Sequence, residues 1–459
     1  MHLNYNQQNK KLKPESKKVL IITYYWPPAG GPGVQRWLKF VKYLPDFDIQ
    51  PIVYIPENPT YPIVDANLEK EVSEKTIILK NKIFEPYQLA SFFSKNKTQK
   101  ISSGIIPNQK KQTFLDKALL WVRGNLFIPD ARAFWVKPSV SYLEKYIIEN
   151  NIDTIITSGP PHSLHLIGLV LKQKLKLTWF ADFRDPWTTI GYHKSLRLST
   201  RAERKHKALE YRVLNTADTV IVTSKTTKKE FEAITNKPIA VITNGYDTEP
   251  VTKVILDSKF SLAHIGSFLS ERNPIILWES LTELLQEIPD FKSHLELKLI
   301  GAVSQEVLDT ISQFNLNSYL NNLGYVSHSE AVVHQRNSQV LLLIEINSEE
   351  TKSIIPGKVF EYLVSNRPII AIGPKDSDFA EIITGTNTGV FFEYTEKEKL
   401  KNTIISYYNQ FLEGKLQSYG VGLQKYSRKN LTKELAQLIN SKLHFLICLS
   451  LRNQRKLQY

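Results

Sequence analysis

Five short segments hold the residues whose chemistry matters most. The first, Ala29-Gly30-Gly31-Pro32-Gly33, runs into a helical stretch carrying Arg36. Glycines let backbone N–H groups approach an anion, and a helix N-terminus adds partial positive charge, so Gly31 and Gly33 could line a phosphate. Arg36 stands where the last glycine of a G-x-G-x-x-G fingerprint would be, and no carboxylate ends the next strand at Ile55. Both departures disfavour a nicotinamide cofactor. A tight turn without a ligand is the plainer alternative. The second segment, Ser158-Gly159-Pro160-Pro161-His162-Ser163, stiffens a turn with two prolines and presents His162 at the start of a helix. That imidazole either meets a substrate hydroxyl or phosphate, or merely caps the helix. In the third, Ala181 to Trp187, the charged residues Asp182, Arg184 and Asp185 form a self-satisfied ion network or organise a polar substrate between aromatic walls.

The other two lie in the second half of the chain. His264-Ile265-Gly266-Ser267 ends a strand, and Arg272 follows five residues after Ser267. Gly266 permits close approach to a phosphate that Ser267 and Arg272 could hydrogen-bond. Ile355 to Leu363 opens a helix in which Gly357 amides and Lys358 favour an anion, while Glu361 could accept from two hydroxyls. A Lys358–Glu361 pair on a helix face is the bland alternative, and a glycine at position 357 makes it less attractive.

The elements that carry these loops alternate along the chain. KKVLIITYYWPP, the glycine turn, a helix with Val34, Trp37, Leu38 and Val41 on one face, then IQPIVYIP read as a βαβ unit. From about Asn58 to Pro138 the periodicity is weak. It resumes with SVSYLEKYIIENN, DTIITSGPP, HSLHLIGLVLKQKLK, LTWFADFRDPW, TADTVIVTS and KPIAVITNGYD. A second set runs from FSLAHIGSF through LELKLIG, NNLGYVS, QVLLLIEIN and RPIIAIG to TGVFFEY. A polar stretch between Asp247 and Lys259 separates the two sets. The expected organisation is a basic tail over 1–16, a first domain over 17–247 with an irregular insertion at about 58–138, a second domain over 248–425, and a C-terminal helix and tail over 426–459 that crosses back. The fold class is α/β, with two doubly wound domains facing a cleft and ligands at the carboxyl ends of the strands.

Composition narrows the partners. The chain has 459 residues, 42% hydrophobic and 23% charged, which is globular and long enough for two cores. Its 59 Lys+Arg against 45 Asp+Glu give a formal charge of +14, favouring anionic partners. No nucleic-acid-binding motif supports nucleic acid as that partner. Cys448 is the single cysteine, so no internal disulfide forms, and no Cys/His cluster has zinc spacing. The polar N-terminus is unlike a signal peptide, and the longest apolar run, Leu443 to Leu451, is less than half of the ~20 residues a spanning helix needs. A cytoplasmic protein is expected. Between Phe93 and Gly124 stand seven basic residues and one acidic, Asp116, with Trp121, Phe127 and Trp135 within or just beyond. That mixture suits an anionic membrane surface at the inner face of the cell membrane and a lipid-linked acceptor. LHFLICLSLRNQRK near the C-terminus is a second possible anchor.

In their order, the glycine loop, ADFRDPW, the NGYD at Asn244 to Asp247, HIGSF and GKVFEYL resemble the family 4 retaining glycosyltransferases, which have the GT-B fold of two Rossmann-like domains. The resemblance runs from about Lys17 to Leu438. It implies an acceptor-binding first domain, a second domain binding a nucleotide-diphosphate sugar, a glycan or lipid-linked acceptor, no cofactor and no required metal. Gly31 and Gly33 would lie near the donor phosphates, and His162 would touch the transferred sugar. Gly266, Ser267 and Arg272 would form the diphosphate loop, with Lys358 beside Gly357. Glu361 would grip the ribose, and backbone near Tyr325 and Val326 would meet the base. Arg36, Asp182, Arg184 and Asp185 are expected on the acceptor side. His162, Arg272 and Lys358 are the expected catalytic groups. Two departures stand out: Ser353 occupies the first position of the family's E-x7-E pair, which Glu349 or Glu350 could replace, and Asn273 stands for a lysine. The activity implied is sugar transfer with retention in cell-envelope or exopolysaccharide assembly. A catalytically inactive nucleotide-sugar-binding protein and a sugar-nucleotide epimerase of the same fold are the alternatives.

Overall fold

The computed structural model describes residues 16–85, 114–191, 193, 196–247 and 254–441. Two fully parallel sheets organise it. In the first, β1 (Lys17–Ile22), β2 (Ile49–Pro56), β3 (Ile77–Asn81), β4 (Thr154–Gly159), β5 (Thr178–Phe183), β6 (Thr219–Val222) and β7 (Ile239–Val241) lie in the order β3-β2-β1-β4-β5-β6-β7. In the second, β8 (Phe260–Ile265), β9 (Leu295–Ile300), β10 (Leu320–Gly324), β11 (Val340–Ile344), β12 (Ile369–Gly373) and β13 (Gly389–Glu393) lie in the order β10-β9-β8-β11-β12-β13. Each order reverses beside its first strand, between β1 and β4 and between β8 and β11. Such switch points open a crevice at the carboxyl ends of the strands.

Sequence explains the central strands directly. β1, β4, β8, β11 and β12 are rich in Val, Ile and Leu, with Lys17 and Lys18 opening β1 and Phe260 and His264 in β8, because helices cover both faces of a parallel sheet. Leu20 pairs with Ile52 on one side and Ile155 on the other, and all three are fully buried or nearly so. Helix α1 (Pro32–Tyr43) starts with proline in its first turn and buries Val34, Trp37, Leu38 and Val41. The other helices that bear on the site are α2 (Phe114–Leu126), α3 (Ala133–Glu149), α4 (Ser163–Lys174), α5 (Thr200–Thr216), α6 (Lys225–Glu232), α7 (Ile275–Glu287), α8 (Gln305–Gln313), α9 (His328–Asn337), α10 (Lys358–Leu363), α11 (Asp378–Gly385), α12 (Lys397–Leu412) and α13 (428–441).

The stretch expected to be irregular contains regular structure. β3 extends the first sheet at its edge, and its half-exposed IILKN gives no clean alternation. α2 and the start of α3 also fall inside it, with Pro138 in the second turn of α3 rather than at a boundary. Residues 86–113, which hold most of the basic run, lie outside the described residues, as do 1–15 and the apolar segment after 442.

The chain crosses between the two lobes twice, and the crossings touch. Tyr246 and Ser427 form a parallel bridge, with Tyr246 N–H donating to the Tyr426 carbonyl (3.0 Å) and Arg428 N–H to the Tyr246 carbonyl (2.8 Å). A Cβ on Gly245 would run into the Tyr426 carbonyl, so only glycine allows this approach. Helix α13 then packs Leu431, Leu435, Ala436 and Ile439 into the first lobe beside Val19, Ile21, Trp37 and Phe180. Among the described residues, no helix is long and apolar enough to cross a membrane.

Candidate active site

The loops after β1, β4 and β5 meet at the first switch point. Gly31 adopts φ 92° and precedes α1, with open space where a side chain would stand. Gly33 is in close contact with the Arg184 guanidinium, which a Cβ would displace. Arg184 lies over the Tyr25 ring (5.5 Å), donates to the Pro160 carbonyl, and is held by its own amide bonding to the Gly159 carbonyl (2.9 Å). One guanidinium therefore ties together the three loops. Asp185 sits beside it half-buried, and burial pushes its carboxyl above the ordinary range.

His162 stands at the N-terminus of α4, 5% exposed, stacked on Trp187 at 4.9 Å and 2°. Neither ring nitrogen has a protein hydrogen-bond partner. Burial, then the neighbouring His165, Arg184, His193 and His206, hold its pKa well below the usual value, so the ring is neutral. A neutral imidazole has one N–H and one lone pair to offer a hydroxyl. Behind it, Trp179 Nε1 donates to Thr157 Oγ1 (2.9 Å), which bonds His165 Nδ1 (2.9 Å). Asp130 secures the helix start by accepting from Ser163 N (2.9 Å) and Oγ (2.8 Å). Neither His165 nor Asp130 was singled out by pattern, because each sits among apolar residues without a motif.

Arg36 and Asp182 do not face an acceptor. They are 1% and 0% exposed, and Asp182 accepts from Arg36 Nη2 (2.8 Å), Trp37 Nε1 (2.9 Å) and Ser158 Oγ (2.8 Å). Arg36 Nη1 donates to the Thr243 carbonyl (2.9 Å). Both side chains are sealed from solvent and bonded to each other, so the pair clamps α1 to the sheet. The Arg36 charge and these three donors hold the Asp182 carboxyl below the ordinary range, although burial works against them.

At the second switch point the groups converge on Lys358, the first residue of α10. Its Nζ lies 2.8 Å from His264 Nε2 and 3.1 Å from the Ile265 carbonyl, and 3.6 Å from where a Gly266 Cβ would be. Burial and the nearby Arg272 charge push the Lys358 pKa down to about 7. Gly266 adopts φ 111°, and its N–H donates to the Ile300 carbonyl (2.7 Å), completing the sheet. With its amide engaged in the sheet, Gly266 leaves open space beside Lys358 Nζ. Ser267 is exposed beside it. Arg272 donates through Nε and Nη2 to the two oxygens of Glu345, both at 3.1 Å. Glu345 is 0% exposed and follows β11. No motif marks it in the sequence, though one carboxylate directly after VLLLI is a legible signal. Asn273 bonds Thr310 (2.8 Å) and Trp278 (2.7 Å), joining α7 to α8, a structural place.

Glu361 accepts from Gln335 Nε2 at 2.7 Å and lies 3.9 Å from His328, so its carboxylate is held against α9. Gly357 precedes α10 in helical conformation. Tyr325 is 88% exposed, while Val326 packs on the second lobe's core. Of the two candidates for the carboxylate lacking at Ser353, Glu349 pairs with Lys352 at the surface (2.8 Å). Glu350 reaches the other lobe: its Oε2 lies 2.8 Å from where a Gly191 Cβ would stand.

The two carboxyl edges face each other. Besides Glu350 and Gly191, Asp378 at the start of α11 accepts from the Thr226 amide at the start of α6 (3.1 Å), and Lys225 pairs with Glu381. A cavity of about 330 Å³ lies in this junction, lined by Ser224, Thr243, Ile355, Asp378, Tyr426 and Glu434 among others.

Residues 105–250 match the family described as Glycosyltransferase Family 4. Comparison with curated proteins finds no match. Solved structures with the same fold include a sucrose-phosphate synthase from Thermosynechococcus elongatus, with TM-score 0.56 and 14% identity over 95% of this chain and 100% of that one. The crystal structure of TarM gives 0.56 and 13% over 94% and 98%. WaaG, a glycosyltransferase involved in lipopolysaccharide biosynthesis, gives 0.52 and 11% over 92% and 99%. A putative UDP-N-acetylglucosamine 2-epimerase from Listeria monocytogenes gives 0.53 and 12% over 93% and 96%. At such identities these likenesses show the fold, and the family match covers part of the first lobe. With two parallel sheets meeting at their carboxyl edges, the chain has the GT-B fold, and its residues 105–250 match Glycosyltransferase Family 4.

Proposed function

We propose that the chain moves a sugar from a nucleotide-diphosphate sugar to a glycan or lipid-linked acceptor with retention of configuration, in cell-envelope or exopolysaccharide assembly. One observation carries this reading: Lys358 and Arg272 stand together at the second switch point, and at the carboxyl end of the first sheet neither ring nitrogen of His162 has a protein partner. The donor diphosphate would sit over Gly266, with Lys358, Arg272 and Ser267 taking its oxygens and Glu361 the ribose hydroxyls. Base contacts would come from the Tyr325–Val326 backbone, and Gly31 and Gly33 would approach the phosphates across the cleft. His162 would hydrogen-bond the transferred sugar, and Arg184 with Asp185 would border the acceptor.

In the transfer step the acceptor oxygen bonds to the anomeric carbon as the bond from that carbon to the phosphate oxygen breaks. The departing phosphate takes the acceptor's proton from the same face. Negative charge grows on that phosphate, and the preorganised Lys358 and Arg272 cations stabilise it. Two fixed cations at this point would let the reaction run without a metal ion. Loss of transfer in His162→Ala and Lys358→Ala, with activity retained in EDTA, tests the assignment. A protein that binds nucleotide sugar in both forms but transfers it in neither would instead be the inactive binder.

A membrane-proximal acceptor is consistent with the exposed apolar side chains near the first lobe's loops: Phe84, Trp121, Leu126 and Phe134. Arg201, Arg204 and Lys205 of α5 add positive charge nearby, since Asn125 of α2 bonds Ser199 and Arg197 at the entry to α5. Such a mixture suits the headgroup region of an anionic bilayer.

A further inference from the structure

His264 is fully buried, yet it is placed against the one lysine of the donor site. Its ring stacks on Phe268 (4.3 Å), so rotation is blocked, and Nε2 points at Lys358 Nζ. Nδ1 has no partner. The charged and titratable groups around it are Lys358 from α10, Arg272 from the turn after β8 and Glu345 after β11. Tyr362 approaches from α10 and accepts from the Ile265 amide (3.1 Å). Burial and the two cations keep the imidazole neutral, so Nε2 is an acceptor and the lysine is the donor. Lys358 thus has two fixed acceptors, this ring and the Ile265 carbonyl, and one N–H left for a ligand over Gly266.

We propose that His264 is a positioning residue of the donor site, holding Lys358 over Gly266 as a hydrogen-bond donor and so coupling binding of a nucleoside diphosphate to uptake of a proton. This rests on the donor reading above. Without ligand, Lys358 is half-deprotonated near neutral pH, because burial and Arg272 oppose its charge. A diphosphate oxygen beside Nζ reverses that balance and draws a proton onto the amine. Affinity is therefore full below neutral pH and falls as pH rises above it. Without the imidazole, the ammonium loses one of its acceptors, so deprotonation sets in at lower pH.

The test is calorimetric titration of the full chain with UDP, GDP and ADP, in pairs of buffers that differ in ionisation heat, at about pH 6.5 and about pH 8. Wild type, His264→Phe and His264→Gln are compared. The wild type should bind one diphosphate tightly and take up more proton at the higher pH. His264→Phe should bind about tenfold more weakly, as expected for one lost charge-assisted hydrogen bond, with uptake already marked at the lower pH. His264→Gln, whose amide oxygen can replace Nε2, should recover most of both. If the phenylalanine variant does not fold, His264→Asn, too short to reach Nζ, serves in its place. Wild-type affinity and uptake in the acceptor-less variant overturn the proposal. So do equal losses in Phe and Gln variants with an unchanged pH dependence, which mark a packing role only. No diphosphate binding to the wild type overturns the donor reading itself.

Discussion

Two buried ion pairs in this chain have opposite uses. Arg36–Asp182 is sealed within the first lobe, and Arg272–Glu345 stands at the cleft with its cation 22% exposed. Removing one partner of a sealed pair strands the other charge, so Asp182→Ala should cost ~3–5 kcal/mol in denaturant unfolding. The Asp182 carboxyl is depressed in the folded state, so its contribution is present above the unfolded carboxyl pKa and is lost as pH falls through the folded one. The wild type's stability advantage over Asp182→Asn should therefore shrink in acid. Lys358→Ala should leave stability nearly intact but lower kcat/KM by ~10²–10³-fold, the scale of one lost transition-state donor. The pH profile separates the two site cations from His162. With Lys358 near 7, kcat/KM should fall as pH rises above neutral. His162 is already neutral well below its usual pKa, so no limb near pH 6.5 should come from it. A limb there that disappears in His162→Gln would contradict the neutral-donor role.

The elements explain why single residues reach so far. Asp378 belongs to α11 in the second lobe yet caps α6 in the first, and Lys225–Glu381 lies beside it. Asp378→Ala should cost about 1 kcal/mol, a helix cap's worth, and loosen the junction, seen as a larger radius of gyration in X-ray scattering. An unchanged radius would show that the clasp at Tyr246 and Ser427 holds the lobes unaided. Gly33→Ala should displace Arg184 from the three loops and lower activity while the melting temperature changes little. The central strands and the site loops were legible in sequence, because apolar β-branched runs ended by Gly and Pro have few other readings. IQPIVYIP is β2 to the residue. What was not legible depended on distant partners. β3 is a weak pattern until β2 lies beside it, and α3 begins before a proline that sequence treats as a stop. Arg36 and Asp182 looked like substrate groups because their pairing spans 146 positions of chain. Glu345 and Gln335 carry no motif, and only packing brings them to Arg272 and Glu361; the HIGSF run shows a strand end at His264 but not that its ring meets Lys358.

At the scale of the whole molecule, the proposed membrane contact rests on the formal charge of +14 and the exposed apolar side chains of α2 and α3. Binding to vesicles containing an anionic lipid is expected, with little binding to zwitterionic ones. It should weaken in ~1 M salt, where the Debye length is only about 3 Å. Trp121→Ser with Leu126→Ser should reduce it further without affecting diphosphate affinity. Equal binding by that double variant would place the contact elsewhere on the chain. The central claim is donor use, and it is tested most directly by nucleoside-diphosphate release from a panel of UDP-, GDP- and ADP-sugars, in EDTA and with a lipid-extract acceptor. One donor should support release in the wild type, with Lys358→Ala and His162→Ala both losing it. No release with any donor, or release that both variants retain, would contradict the account.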